Sequence, residues 1–209
     1  MIHCIGNSHA NMFTGSPPGQ MFITTCGSRF SSTSIGPVIA YNFTEHHESK
    51  CMEQLSKIPV NPGDRVMLIV GEVDCRLHLP KRIATNNESI ESVVFECTNR
   101  FFRSVLNLKK RGYNMVTWCG HPSTTDGHRD NYDSPVWGDC LTRNKISIEW
   151  KKSLEALSLA NDIPCVSIID DMIKEDGLTD MSYFIDYCHL NSQKALPLVI
   201  NKFIEKGLL

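Results

Sequence analysis

Four short polar clusters follow apolar runs in this chain, and each holds residue types that can do chemistry. The first is Cys4-Ile5-Gly6-Asn7-Ser8-His9. A serine just past a strand-ending glycine can have its hydroxyl lifted off the sheet, next to backbone N–H groups at a following helix start; this is what a nucleophile and its oxyanion need. The same Ser8 would also serve as a plain helix cap. The second is Asp186-Tyr187-Cys188-His189-Leu190-Asn191. Asp186 and His189 are three apart and can share one side of a turn. His189 would then take a proton and Asp186 would orient its ring. A surface Asp and a capping-region His are the structural alternative. In the third, Gly71-Glu72-Val73-Asp74-Cys75-Arg76, three charges bunch directly after a buried run. Such charges are costly unless paired or used, so Glu72 and Asp74 are candidate site residues, with an ion pair to Arg76 as the other reading. The fourth, Ser34-Ile35-Gly36-Pro37, places a Gly-Pro step where Gly36 can offer its N–H to a ligand or simply form a turn.

The elements that must position these clusters follow from periodicity. Apolar runs at 2–5, 65–70, 114–119 and 164–169 are strand candidates, with a weaker one at 21–26. The later runs are continuous rather than alternating, which suits parallel strands buried on both faces. Apolar residues spaced by three and four predict helices at 90–110, 144–161 and 192–204, with a more polar one at 45–58. Strand–helix alternation of this kind predicts a three-layer α/β/α sandwich, one domain over 1–209. The stretch 121–141 lacks periodicity and follows a strand. Open α/β sheets bind ligands beyond the carboxyl ends of their strands, so it is a candidate recognition loop.

Composition narrows the function classes. The 209 residues are 41% hydrophobic and 21% charged with a net charge of -2, so no basic footprint for nucleic acid is present. No apolar run reaches the roughly 20 residues needed to span a bilayer, and the first residues lack the basic and apolar regions of a secretory signal. The natural-looking Met1 gives the expectation of a complete reading frame. Nine cysteines, an odd number with no CxxC pair, are expected to be reduced core thiols in a cytoplasmic compartment. Neither His46-His47 nor the pair His121 and His128 has a metal-ligand spacing, and no metal is expected. The final helix offers an apolar surface that core packing explains, and the oligomeric state stays open.

Taken in order, the four clusters resemble the blocks of the SGNH (GDSL-type) hydrolase superfamily, over nearly the whole chain. Gly6-Asn7-Ser8 looks like the Gly-Asp-Ser block, Gly36 like the second-block glycine, Gly71-Glu72-Val73-Asp74 like the third block Gly-x-Asn-Asp, and Asp186-Tyr187-Cys188-His189 like the last block Asp-x-x-His. Two positions depart from the pattern. Asn7 stands for the family's Asp, and Val73 for the Asn whose side chain donates into the oxyanion hole; losing one such donor costs on the order of 10²–10³ in rate. The Gly-Glu-Val-Asp-Cys-Arg string is similar to an SGNH-like subgroup found with glycan and capsule-type gene clusters.

The resemblance implies a flavodoxin-like sandwich with about five parallel strands. It implies a serine esterase without metal or organic cofactor: Ser8 as nucleophile, His189 as base, Asp186 as its orienter, and an oxyanion hole from the N–H groups of Ser8 and Gly36 with Arg76. The expected substrate is a small acyl ester, acetyl above all, on a carbohydrate. Asn7, Glu72, Asp74, His121 and Trp137 are the expected substrate contacts, with Tyr132 stacking beside Trp137 and Asp126, Arg129 and Asp133 binding hydroxyls. An acyltransferase on the same triad and a silent glycan-binding module are the alternatives, Val73 supporting the latter.

Overall fold

The computed structural model describes residues 1–16, 24–26, 29–126 and 135–209. Strand β1 (Ile2–Gly6) lies at the middle of a six-stranded sheet, between β3 (Phe30–Ser34) and β4 (Arg65–Ile69). The sheet continues through β5 (Met115–Trp118) to β6 (Cys165–Val166) on one side and ends with β2 (Thr24–Cys26) on the other. β1, β3, β4, β5 and β6 are parallel, and β2 runs antiparallel to β3 at the edge. This is a three-layer α/β/α sandwich with five parallel strands.

Strand pleating sorts the core into two layers. Val66 and Leu68 face helices α1 (Glu45–Leu55), α2 (Leu79–Asn86), α3 (Ile90–Lys110) and α4 (Cys140–Leu159). Met67 and Ile69 face the other way, onto the 3₁₀ helix Ser8–Thr14 and α5 (Ser192–Glu205). The long helices start where side chains can cap them: Ser89 accepts the N–H of Ser92, Asp139 that of Thr142, and Asn191 that of Gln193.

One strand departs from expectation. β3 reads Phe-Ser-Ser-Thr-Ser, too polar to signal a buried strand, yet all five residues are buried. Its hydroxyls are satisfied inside: Ser31 Oγ lies 2.7 Å from His3 Nδ1, and Ser32 Oγ lies 2.6 Å from Thr14 Oγ1. The weak candidate at 21–26 is described only from Thr24, as the antiparallel edge strand; 21–23 lie outside the described residues. The run at 164–169 pairs only through Cys165 and Val166. α4 begins earlier than its periodicity suggests because the Asp139 cap sets its start.

Close contact between β1 and β4 fixes where the first cluster sits. A methyl group on Gly6 would come 1.9 Å from the Ile69 carbonyl oxygen, so only glycine fits at the end of β1. Among the described cysteines Cys165 is partly exposed and the others are buried; Cys119 and Cys165 place their Sγ atoms 3.2 Å apart. No helix among the described residues is long and apolar enough to cross a membrane.

Candidate active site

Ser8 opens the 3₁₀ helix that follows β1. Asn7 holds the turn: its N–H donates to Ile69 O at 3.1 Å, its Oδ1 accepts the His9 N–H at 3.1 Å, and its Nδ2 donates to Val38 O at 3.4 Å. Asn7 thus anchors the Ser8 turn to the second block, besides lining a cleft. Across from it, the segment before α5 folds back on itself, with Ile185 N–H donating to His189 O and Asn191 N–H to Tyr183 O. Asp186 caps this turn: Oδ1 accepts the N–H groups of Cys188 at 2.8 Å and His189 at 2.7 Å.

These turns bring three side chains into line. His189 Nε2 is 2.8 Å from Ser8 Oγ, and His189 Nδ1 is 2.7 Å from Asp186 Oδ2. Partial burial works to raise the Asp186 carboxyl, but the two backbone N–H groups and His189 outweigh it and leave the group below its ordinary value. It is therefore ionised at neutral pH and accepts a hydrogen bond from His189 Nδ1–H. Burial first, then the charge of His9, lowers His189 against the pull of Asp186. A neutral His189 with its proton on Nδ1 presents a lone pair at Nε2 to the Ser8 hydroxyl, the arrangement of a nucleophile beside a general base.

Two clefts meet at Ser8. One, about 360 Å³, is lined by His9, Asn11, Ser16, His189 and the start of α5 at Asn191, Ser192 and Gln193. The other, about 760 Å³, is lined by Asn7, Ser34, Gly36, Pro37, Val38, Ile39 and Val73. Gly36 adopts φ 96°, which suits glycine, and its N–H lies 3.3 Å from Ser34 Oγ. The second and third blocks thus meet beside Ser8. Where the family pattern has a donating Asn, the side chain of Val73 lines the wall.

Other candidates are placed differently. Asp74 is fully buried and accepts the N–H groups of Ala40 at 2.7 Å and Tyr41 at 3.1 Å. It braces the second-block loop rather than meeting substrate. Glu72 is buried between Arg76, with Nε to Oε1 at 2.7 Å, and His9, with Nε2 to Oε2 at 2.9 Å. Arg76 spends its guanidinium on Glu72 and the Pro135 carbonyl, and it lines neither cleft; it is a partner for a buried carboxylate rather than an oxyanion donor. His121 is buried against His9 and Pro122, so it supports the site from behind. Trp137 is exposed and lines neither cleft; its ring faces Lys81 Nζ at 5.7 Å and its backbone N–H donates to Arg76 O. Asp126 pairs with Arg143 at 3.2 Å. His128, Arg129, Tyr132 and Asp133 lie outside the described residues.

His9 carries no signal in the sequence motifs, because its partners, Glu72 and His121, sit at the ends of other strands. The described residues include one group with metal-ligand geometry, the ligand atoms of His9, Cys188 and His189, all within 4.8 Å of one another. The nitrogens of both histidines are engaged in the hydrogen bonds and ion pairs already given.

No protein-family model matches the sequence, and no curated protein matches it. Solved structures do. A GDSL-like lipase from Bacteroides thetaiotaomicron superimposes with a TM-score of 0.57 at 17% identity, over 99% of this chain and 88% of that one. An acetylxylan esterase from Geobacillus stearothermophilus, in a catalytic mutant, gives 0.58 at 12% identity, over 99% and 93%. Est24, a carbohydrate acetylesterase from Sinorhizobium meliloti, gives 0.54 at 12% identity, over 100% and 99%. At these identities the likeness establishes the fold alone, one shared with a GDSL-like lipase and with carbohydrate acetylesterases.

Proposed function

We propose that this chain is a serine esterase of the SGNH type that cleaves a small acyl ester, with acetyl on a carbohydrate hydroxyl as the first substrate to test. The observation that carries the proposal is the Ser8–His189–Asp186 chain of contacts at 2.8 and 2.7 Å, at the meeting point of two clefts. Ser8 Oγ attacks the ester carbonyl as His189 Nε2 takes its proton. Asp186 holds the ring and stabilises the imidazolium that forms. The N–H groups of Ser8 and Gly36, residues that line the larger cleft, are the proposed oxyanion donors, the Gly36 N–H turning from Ser34 Oγ to serve. His189 then protonates the departing alcohol, which must leave on the side where His189 lies. That is the smaller cleft, whose lining of Ser16, Asn191, Ser192 and Gln193 suits a polyhydroxy alcohol. Water, activated by the same histidine, releases the acid and regenerates Ser8. The fold of carbohydrate acetylesterases supports the substrate class.

The test is intact-mass analysis after a fluorophosphonate probe, alongside p-nitrophenyl acetate turnover, on wild type and Ser8→Ala. One adduct on Ser8 and turnover lost in the variant are expected. Val73 favours a second reading, a glycan-binding module without turnover. A folded wild type that takes no adduct would transfer preference to it, and glycan binding unchanged in Ser8→Ala would then be the positive sign.

A further inference from the structure

We propose that the larger cleft beside Ser8 takes the acyl half of the ester, that Val73 is a specificity-determining residue there, and that the favoured acyl group is an uncharged straight chain longer than acetyl. The inference rests on the esterase reading and deepens it at the acyl group alone.

Proton transfer separates the two halves of the substrate. His189 lines the smaller cleft and not the larger. The leaving oxygen must come within reach of His189 Nε2, so the alcohol lies in the smaller cleft and the acyl chain is left the larger. The two linings match this division. Ser16, Asn191, Ser192 and Gln193 offer hydroxyls and amides around the smaller cleft. The larger, about 760 Å³, has far more room than the methyl of an acetyl group needs, and Pro37, Val38, Ile39 and Val73 supply apolar surface. Ile39 and Val73 are only half-buried, and a chain laid in the cleft covers apolar surface that water otherwise meets. No Lys, Arg, Asp or Glu is among the described residues lining it. The two histidines there, His47 and His78, are lowered from their ordinary value by burial first and then by neighbouring basic groups, so they are neutral near pH 7. An acyl group ending in a carboxylate or phosphate would find no counter-charge.

An Asn at position 73 would donate to the oxyanion, but it would also set an amide against the chain, with polar atoms stripped of water. Val73 gives up the donor and adds apolar contact. Stabilisation lost at the oxyanion is then recovered from binding of the non-reacting chain, which holds the carbonyl at Ser8. The lining is fixed from both sides. Val73 is followed by Asp74, whose carboxyl accepts the N–H groups of Ala40 at 2.7 Å and Tyr41 at 3.1 Å, and Asn7 Nδ2 donates to Val38 O at 3.4 Å. These bonds tie the 38–41 loop to the turn after β4 and to the turn that bears Ser8, so the cleft is formed before substrate arrives. The chemistry is hydrolysis: the Ser8 Oγ–acyl bond forms as the ester C–O bond breaks, and His189 passes the proton to the alcohol. Water then releases the alkanoic acid and Ser8 regains its proton.

Measuring kcat/KM for p-nitrophenyl acetate, butanoate, hexanoate and octanoate on wild type and Val73→Asn tests this. In wild type, kcat/KM should rise at least about tenfold from acetate to hexanoate, as successive methylenes leave water. In Val73→Asn the hexanoate-to-acetate ratio should fall at least about threefold, even as acetate itself is cleaved faster. A wild-type series that is flat or falls with chain length would overturn the proposal and seat the alcohol in the larger cleft. An unchanged ratio in the variant would remove Val73 from specificity; the wild-type series stands even where the variant does not fold. Methyl NMR of wild type with acetate, hexanoate and octanoate reads the cleft without turnover. The Val38, Ile39 and Val73 signals should move with the longer acids at concentrations where acetate leaves them in place. These shifts in a protein that cleaves no ester would sink the esterase reading and leave the chain-length pocket standing. Turnover with a flat series and no such shifts would sink the pocket alone.

Discussion

Asp74 makes a stability claim that can be worked from its surroundings. Its carboxyl is fully buried and takes the N–H groups of Ala40 and Tyr41 at 2.7 and 3.1 Å. Burial pushes it up from 3.8 to about 6, although both backbone donors pull it down. A carboxyl raised on folding stabilises the native state below its unfolded value and loses that contribution as pH rises through its folded value. The full difference is worth about 3 kcal/mol, of which about 2 kcal/mol falls between about pH 4 and pH 8. In Asp74→Asn nothing titrates. The variant's amide still offers one oxygen to a backbone N–H, while its NH₂ meets the other donor head-on, a loss of about 1–3 kcal/mol. Urea unfolding of both proteins at several pH values measures the difference. Wild type should be the more stable at low pH, and its advantage should shrink by about 2 kcal/mol toward pH 8. A constant gap would mean that Asp74 does not titrate in this range. A gap that widens with pH would mean that the two backbone donors outweigh desolvation, and the account given for this residue would be wrong.

Three further outcomes are expected. Val73→Asn should restore a side-chain donor beside Ser8 and Gly36 and speed p-nitrophenyl acetate cleavage about tenfold or more, with 10²–10³ as the ceiling; an unchanged or lower rate would mean that the site does not lack a donor. Asp186→Asn should leave the melting temperature within a few degrees and lower kcat by on the order of 10³–10⁴, because Nδ1 of His189 loses the carboxylate at 2.7 Å; a drop of less than about tenfold would remove Asp186 from the triad. Gly6→Ala sets a methyl 1.9 Å from the Ile69 carbonyl and should cost at least about 3 kcal/mol by thermal unfolding; a melt like that of wild type would contradict the close approach of β1 and β4.

What the sequence could determine is what short spacing encodes. The apolar runs that became β4 and β5, the helical periods of α3 and α5, and the Asp186-x-x-His189 turn are local patterns, legible without partners. Ser8 after a strand-ending glycine is legible in the same way. β3 was hidden because its hydroxyls meet partners such as His3 and Thr14, which the fold delivers from elsewhere. The charged cluster shows the division most plainly. Sequence chemistry requires that Glu72, Asp74 and Arg76 be paired or used, but the partners depend on which strand ends lie side by side. The sheet order sets β1 next to β4 and β4 next to β5, and that adjacency alone gives Glu72 to His9 and His9 to His121. The second-block loop likewise brings Ala40 and Tyr41 to Asp74. Residue types and local spacing settle which groups can do chemistry. Pairing between distant donors and acceptors, and the protonation that follows from it, is decided by strand order and burial, which exist only in the folded chain.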